Sequence, residues 1–170
     1  MTEKQAKKYD AKMKTTEQRV WIFQGNPLRY KVYEALCDES LKEDTWLVSH
    51  YSNEIHIGDI GLIWKARKAS GIYAVGTIIS NPQVMSELPE SGKYWIDKTD
   101  RGKKILRVLI RYKLKLKLTN ALFSKDLKKI PELRDMQIFK QSQGTNFRVG
   151  PSQWQVIKEL LKRKYNFEDI

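Results

Sequence analysis

Trp46-Leu-Val-Ser-His50, Ile55-His-Ile-Gly-Asp-Ile-Gly-Leu-Ile-Trp-Lys65 and Gly71-Ile-Tyr-Ala-Val-Gly76 are three short runs of β-branched and aromatic residues separated by polar, turn-rich segments. Such runs suit a pleated, half-buried surface, and the Gly, Asn, Asp and Ser residues between them supply turns. Residues 60–65 and 72–79 are expected to pair as antiparallel strands across the polar segment 66–71. With tryptophans spaced along its strands, the region reads as part of a small barrel.

Toward the N-terminus, Val20-Trp21-Ile22-Phe23 is an apolar run closed by Gln24-Gly25-Asn26-Pro27, a first strand ended by turn chemistry. Leu28, Val32, Ala35 and Leu36 then recur at helical spacing. Toward the C-terminus, Leu106, Val108, Ile110, Tyr112, Leu114, Leu116 and Leu118 fill the even positions, and Arg107, Arg111, Lys113, Lys115 and Lys117 lie between them. Period two over that length predicts a strand, with its lysines on an outer edge guarding against sheet-to-sheet pairing. A short helix is expected over 124–129, a turn-like polar segment over 141–146, and a closing helix over 151–165 with Trp154, Ile157, Leu160 and Leu161 on one side. Residues 133–139 fit either helix or strand. Residues 81–102 carry Pro82, Pro89, Gly92 and Gly102 together with Tyr94 and Trp95, and read as a binding loop.

Residues 1–18 hold five lysines and little to bury, which predicts a basic N-terminal arm ahead of one domain spanning 19–170. Cys37 is the single cysteine, so no intrachain disulfide can form, and no Cys and His cluster has the spacing of a zinc site. No metal and no cofactor are expected. No run approaches the roughly twenty apolar residues of a membrane span, and a cytoplasmic protein is expected. A formal net charge of +12 favours a polyanionic partner.

Four motifs in order, Trp21-Ile-Phe-Gln-Gly-Asn-Pro27, Ile57-Gly-Asp-Ile-Gly-Leu-Ile-Trp64, Gly71-Ile-Tyr-Ala-Val-Gly76 and Gly144-Thr-Asn-Phe147 before a final helix, resemble the EVE domain of the PUA-like superfamily over about residues 19 to 160. The resemblance implies an α+β fold, a curved and mostly antiparallel β-barrel flanked by helices, akin to the YTH-type readers. It also implies a module that recognises a methylated or hydroxymethylated base, flipped into an aromatic cage, with DNA favoured over RNA. Some such domains accompany a nuclease or motor subunit in modification-dependent restriction or defence systems.

By position in the YTH-like pattern, Trp46 matches the first cage wall and Ser49 a polar contact beside it. Trp95 is placed like the second wall, and Trp64 competes for that role. Gln24 and Asn26, at a strand end, are candidates for reading a base edge. Lys65, Arg67 and Lys68 on the hairpin, Arg107 and Arg111 on the long strand, and Thr145, Asn146 and Arg148 in the late motif are candidates for the nucleic-acid backbone. Trp21 and Trp154 are expected in the core, and Asp59 in a structural corner.

Three further readings stay open. A general RNA-binding domain without modification selectivity needs the basic faces but no cage. A protein-docking barrel needs neither. A nuclease has only the fragment Asp126-Leu-Lys128 in its favour, and the chain has no phosphate-binding Gly-Lys-Ser/Thr loop, no dinucleotide fingerprint, no nucleophile elbow and no His-Glu-x-x-His. No catalytic residue is assigned.

Overall fold

Alternation along the long strand decides the framework of the computed structural model, which describes residues 2–5 and 18–168. The basic arm expected over 1–18 lies largely outside the described residues. Among the described residues the eight strands, in chain order, are β1 (Val20–Gly25), β2 (Glu43–Leu47), β3 (Ile60–Lys65), β4 (Gly71–Ile78), β5 (Gln83–Met85), β6 (Ile105–Lys115), β7 (Leu122–Phe123) and β8 (Asn146–Val149). They form one mixed sheet in the order β2-β6-β4-β3-β1-β8, with β5 on β6 and β7 on β4, curled into a half-barrel. Within residues 18–168 the α-helices are α1 (Val32–Cys37), α2 (Ser124–Leu127), α3 (Gln137–Lys140) and α4 (Pro151–Tyr165).

The β3–β4 hairpin pairs antiparallel as expected, from Ile60 opposite Thr77 to Lys65 opposite Gly71. One pairing departs from the antiparallel pattern: β1 lies parallel to β3, Val20 beside Ile60 and Gly25 beside Lys65. Nor is β6 an edge strand. It holds β2 on one side and β4 on the other, so the edge-guarding role expected of its lysines does not apply. Lys115 instead donates to the carbonyls of Asp38 and Leu41, at 2.9 and 2.6 Å, tying the end of α1 to the sheet.

Curvature comes from irregularities in the ladder. Register shifts fall between Ile63 and Trp64 and between Val75 and Gly76, and such bulges bend and twist a strand. At Gly76 the β6 backbone comes so close that an added Cβ would sit 2.5 Å from the Arg111 carbonyl oxygen. The core fills the bend with Ile22, Phe23, Leu62, Ile63, Val75, Val108 and Ile110, all fully buried. Helix α4 covers one side through Ile157 and Leu161. It starts at Pro151, is held where Gln153 Oε1 accepts from the Gly150 N–H at 2.9 Å, and stops at Asn166 in the left-handed region, φ 53°.

The two ends of the sheet, β2 and β8, are joined by a side chain. Asn146 Oδ1 accepts from the backbone N–H groups of Ser49 and His50 at 2.8 and 3.1 Å, and its amide nitrogen donates to the Leu47 carbonyl at 2.9 Å. That corrects the backbone-contact role expected of Asn146, which is buried and fully committed to closing the half-barrel. Trp21 is core, as expected, and its indole N–H donates to Asp59 at 2.8 Å, so Asp59 braces the corner before β3. Trp154 packs half-buried on the core.

Candidate nucleic-acid interface

A cavity of about 420 Å³ opens where the ends of β1 and β2 meet two loops, and it is lined by Gln24, Gly25, Asn26, Arg29, Tyr30, Thr45, Trp46, Leu47, Ala66, Arg67, Trp95, Arg107 and residues 142–145. Of the pocket residues expected from sequence, Trp46, Trp95, Gln24 and Asn26 are brought together here. Ser49 and Trp64 are not. Ser49 is exposed beyond the end of β2, with its backbone held by Asn146. Trp64 follows the bulge in β3 and packs edge-on against Phe139, ring centroids 5.8 Å apart, buried at 3 % exposure. Its bid for the second wall is corrected in favour of core.

Tyr30 joins the two cavity tryptophans. Its ring stands edge-on to Trp46 at 6.2 Å and tilted against Trp95 at 4.9 Å. Backbone pairing between residues 30 and 95 and the Ile96 N–H donating to the Arg29 carbonyl at 2.9 Å pin the Trp95 loop onto this wall. Behind the rings lies a buried polar layer. The Tyr30 hydroxyl donates to Asp44, the Thr45 N–H donates to Asp44 at 2.8 Å, and the Trp46 indole N–H donates to the Tyr112 hydroxyl at 3.0 Å. Burial pushes the Asp44 carboxyl and the Tyr30 and Tyr112 hydroxyls up from their ordinary values, so both phenols stay protonated. Gly25 leaves room for the Trp46 ring: a Cβ there would lie 3.1 Å from it and 2.6 Å from Val32.

Arg107 departs furthest from its expected place. It is 1 % exposed at the cavity wall, so it does not track phosphates on an outer face. At this end of β6 the side chain is enclosed by the Met85 carbonyl of β5, by Thr45 and by the Trp95 ring. Its guanidinium sits 5.5 Å from the centre of the Trp95 ring, donates from Nε to the Met85 carbonyl at 3.2 Å, and from Nη1 to Thr45 Oγ1 at 3.4 Å. Burial lowers its pKa, opposed chiefly by Glu87.

The other candidate cations divide into two sets. Arg67 reaches the cavity rim, where its Nε donates to Asn26 Oδ1 at 3.2 Å, and with Lys68, Lys125 and Phe123 it also lines a second hollow. Lys65 turns back on the Lys68 carbonyl and lies 5.5 Å from the Tyr73 ring centre. Arg111 and Arg148 are already held by carboxylates, Glu43 and Glu54, each at 2.7 Å. Thr145 lines the cavity, and its carbonyl accepts from the Gln24 N–H at 2.8 Å. The Gln24 amide nitrogen is spent on the Ser142 and Gly144 carbonyls at 3.1 and 2.8 Å, which leaves Oε1 as its available group.

Sequence reasoning passed over Tyr30 and the lining residue Arg29. Their signal was position: both follow the Gly25-Asn26-Pro27 turn that ends the first strand, yet helical spacing of Leu28 and Val32 assigned them to a helix that in fact begins at Val32. Arg29 pairs with the buried Asp100 at 2.8 Å, which raises its pKa and fastens the loop before β6.

No curated protein matches the sequence. Among solved structures, a hypothetical protein from Leishmania major is 18% identical with a TM-score of 0.62, over 86% of this chain and 96% of that one. A protein from Pseudomonas putida is 22% identical with a TM-score of 0.59, over 83% and 98%. The human THYN1 protein in complex with 5-methylcytosine-containing DNA is 13% identical with a TM-score of 0.59, over 84% and 97%. These neighbours share the PUA-like architecture, and the EVE domain profile matches residues 19–160, so this chain belongs to the EVE domain family.

Proposed function

We propose that residues 19–170 act as one binding unit that holds a modified base of a nucleic acid, flipped from DNA, in the cavity between Trp46 and Trp95. The observation that carries the reading is that cavity: about 420 Å³, walled by Trp46, Tyr30 and Trp95 and edged by Gln24, Asn26 and Thr45. Its size falls within the roughly 300–1,000 Å³ of small-ligand sites. An aromatic wall stacks a base with about 1–3 kcal/mol, enough to offset the few kcal/mol of unstacking only if polar groups also read the base edge. The DNA complex of the related human THYN1 supports 5-methylcytosine as the first base to test. The module reads and does no chemistry itself, and a nuclease or motor subunit would act on the result.

The second hollow, with Arg67, Lys68 and Lys125, favours one competing reading, a general phosphate binder. Titration against duplex and single-stranded DNA and RNA, carrying unmodified, methylated or hydroxymethylated cytosine or methylated adenine, separates the two. A reader prefers one modified strand, and Trp46→Ala weakens that binding by about 1–3 kcal/mol, the worth of one stacked base. Equal binding to every strand, unchanged by Trp46→Ala and falling steeply as salt rises, identifies a phosphate binder.

A further inference from the structure

Among the described residues, the one buried side-chain nitrogen or oxygen left without a hydrogen bond is Arg107 Nη2. An Arg side chain at 1 % exposure with an unused donor is uncommon, because a buried donor without an acceptor loses its hydration for nothing. The rest of the guanidinium is fixed: Nε on the Met85 carbonyl, Nη1 on Thr45 Oγ1, and its face on the Trp95 ring. Glu87 does not satisfy it. Its carboxylate oxygen stands 4.0 Å from Nη2, beyond hydrogen-bond distance, and both its oxygens accept from the Gly102 N–H, at 2.7 and 3.0 Å. Arg107 lines the same cavity as Trp46, Trp95 and Thr45.

The geometry points to Arg107 as the residue that selects the base, its free Nη2 donating to the ring-nitrogen acceptor of an amino-bearing base, with Thr45 Oγ1 beside it taking a hydrogen of the exocyclic amine. This rests on the cavity being a base pocket, and it names the class of base. Cytosine offers an acceptor at N3 next to an amino donor at N4, and methylation at C5 leaves that pair intact. Thymine has the same outline and the same methyl group but presents an N–H at N3, which would face the guanidinium donor to donor. Thr45 cannot make this discrimination alone, since a hydroxyl rotates to donate or to accept. Arg107 can, because a guanidinium only donates. A phosphate contact would place the group in solvent at the rim, where Arg67 is.

The test measures binding of one DNA strand with a single central position occupied in turn by 5-methylcytosine, thymine and 3-deaza-5-methylcytosine, whose N3 is replaced by C–H, with the unmodified cytosine strand as the reference for the pocket. Wild-type protein, Arg107→Met, Arg107→Lys and Trp46→Ala are each titrated, with circular dichroism checking that each variant is folded. The expected result is about tenfold tighter wild-type binding to 5-methylcytosine than to either of the other two, and no such preference in Arg107→Met. Arg107→Lys, which keeps charge and one donor, should retain part of it. Arg107→Met that keeps the full preference overturns the assignment, as does equal weakening on all three strands with a smaller salt slope, the mark of a phosphate contact. If neither Arg107 variant folds, the wild-type comparison decides: 3-deaza-5-methylcytosine bound as tightly as 5-methylcytosine overturns it. These outcomes leave the pocket reading standing when Trp46→Ala still abolishes the preference for 5-methylcytosine over cytosine. Absence of that preference in the wild type overturns both.

Discussion

Asp44 sits behind the cavity wall at 2 % exposure, where it takes the hydroxyl of Tyr30 and so fixes the ring that bridges Trp46 and Trp95. Desolvation raises its pKa above the ordinary 3.8, and hydrogen bonds from Tyr30 and Thr45 oppose the rise. A carboxyl with a raised native pKa binds more protons folded than unfolded, so its contribution to stability falls as pH climbs from its ordinary value through the raised one. Asp44→Asn keeps a polar partner for Tyr30, whose hydroxyl accepts as readily as it donates, and removes the titration. Urea unfolding between about pH 4 and about pH 7 should therefore show the variant gaining on the wild type as pH rises. A difference that stays flat with pH would mean Asp44 titrates alike in both states. Trp46 and Trp95 were legible through the family resemblance, one at the start of a strand and the other in the 81–102 loop. Tyr30 and Arg107 were not, because each owes its role to what covers it: Tyr30 to the Trp95 loop, Arg107 to that loop and β5.

Strand β1 and the 142–145 loop show how one element of a site holds another in place. Gln24, near the end of β1, holds the loop through the Ser142 and Gly144 carbonyls, and the loop forms one side of the cavity. Gln24→Ala should speed amide hydrogen exchange in residues 142–145 while the amides of β1 paired with β3 keep their protection. Unchanged exchange in the loop would show that the Gln24 N–H bond to the Thr145 carbonyl suffices. Elements with a local signature, β3, β4, β6 and α4, were readable from the chain because periodicity belongs to each by itself. The parallel pairing of β1 with β3 was hidden, since it depends on neighbours about as far apart as the 38 residues that separate Trp21 from its partner Asp59. Four-residue β8 was hidden as well, read as a motif before the helix and not as a strand.

The whole half-barrel is closed by Asn146, whose single amide joins β8 to the chain leaving β2 across a separation of 99 residues. Asn146→Ala would leave the Ser49 and His50 N–H groups and the Leu47 carbonyl without their partner, at a cost of at least about 2 kcal/mol, read as a lower urea midpoint. A loss under about 0.5 kcal/mol would mean that water replaces the amide there. The parallel alignment of β1 with β3 carries a consequence in time. Because β1 pairs with β3 and β8, its ladder waits for chain made much later, and Gly144 and Gln24 meet across 120 residues. Closing such distant contacts is slow, and the cavity, assembled from residues 24 to 145, exists only where they are made. A ligand that fits it therefore recognises only chain in which both distant partners are in place, and its binding would stabilise that state by mass action.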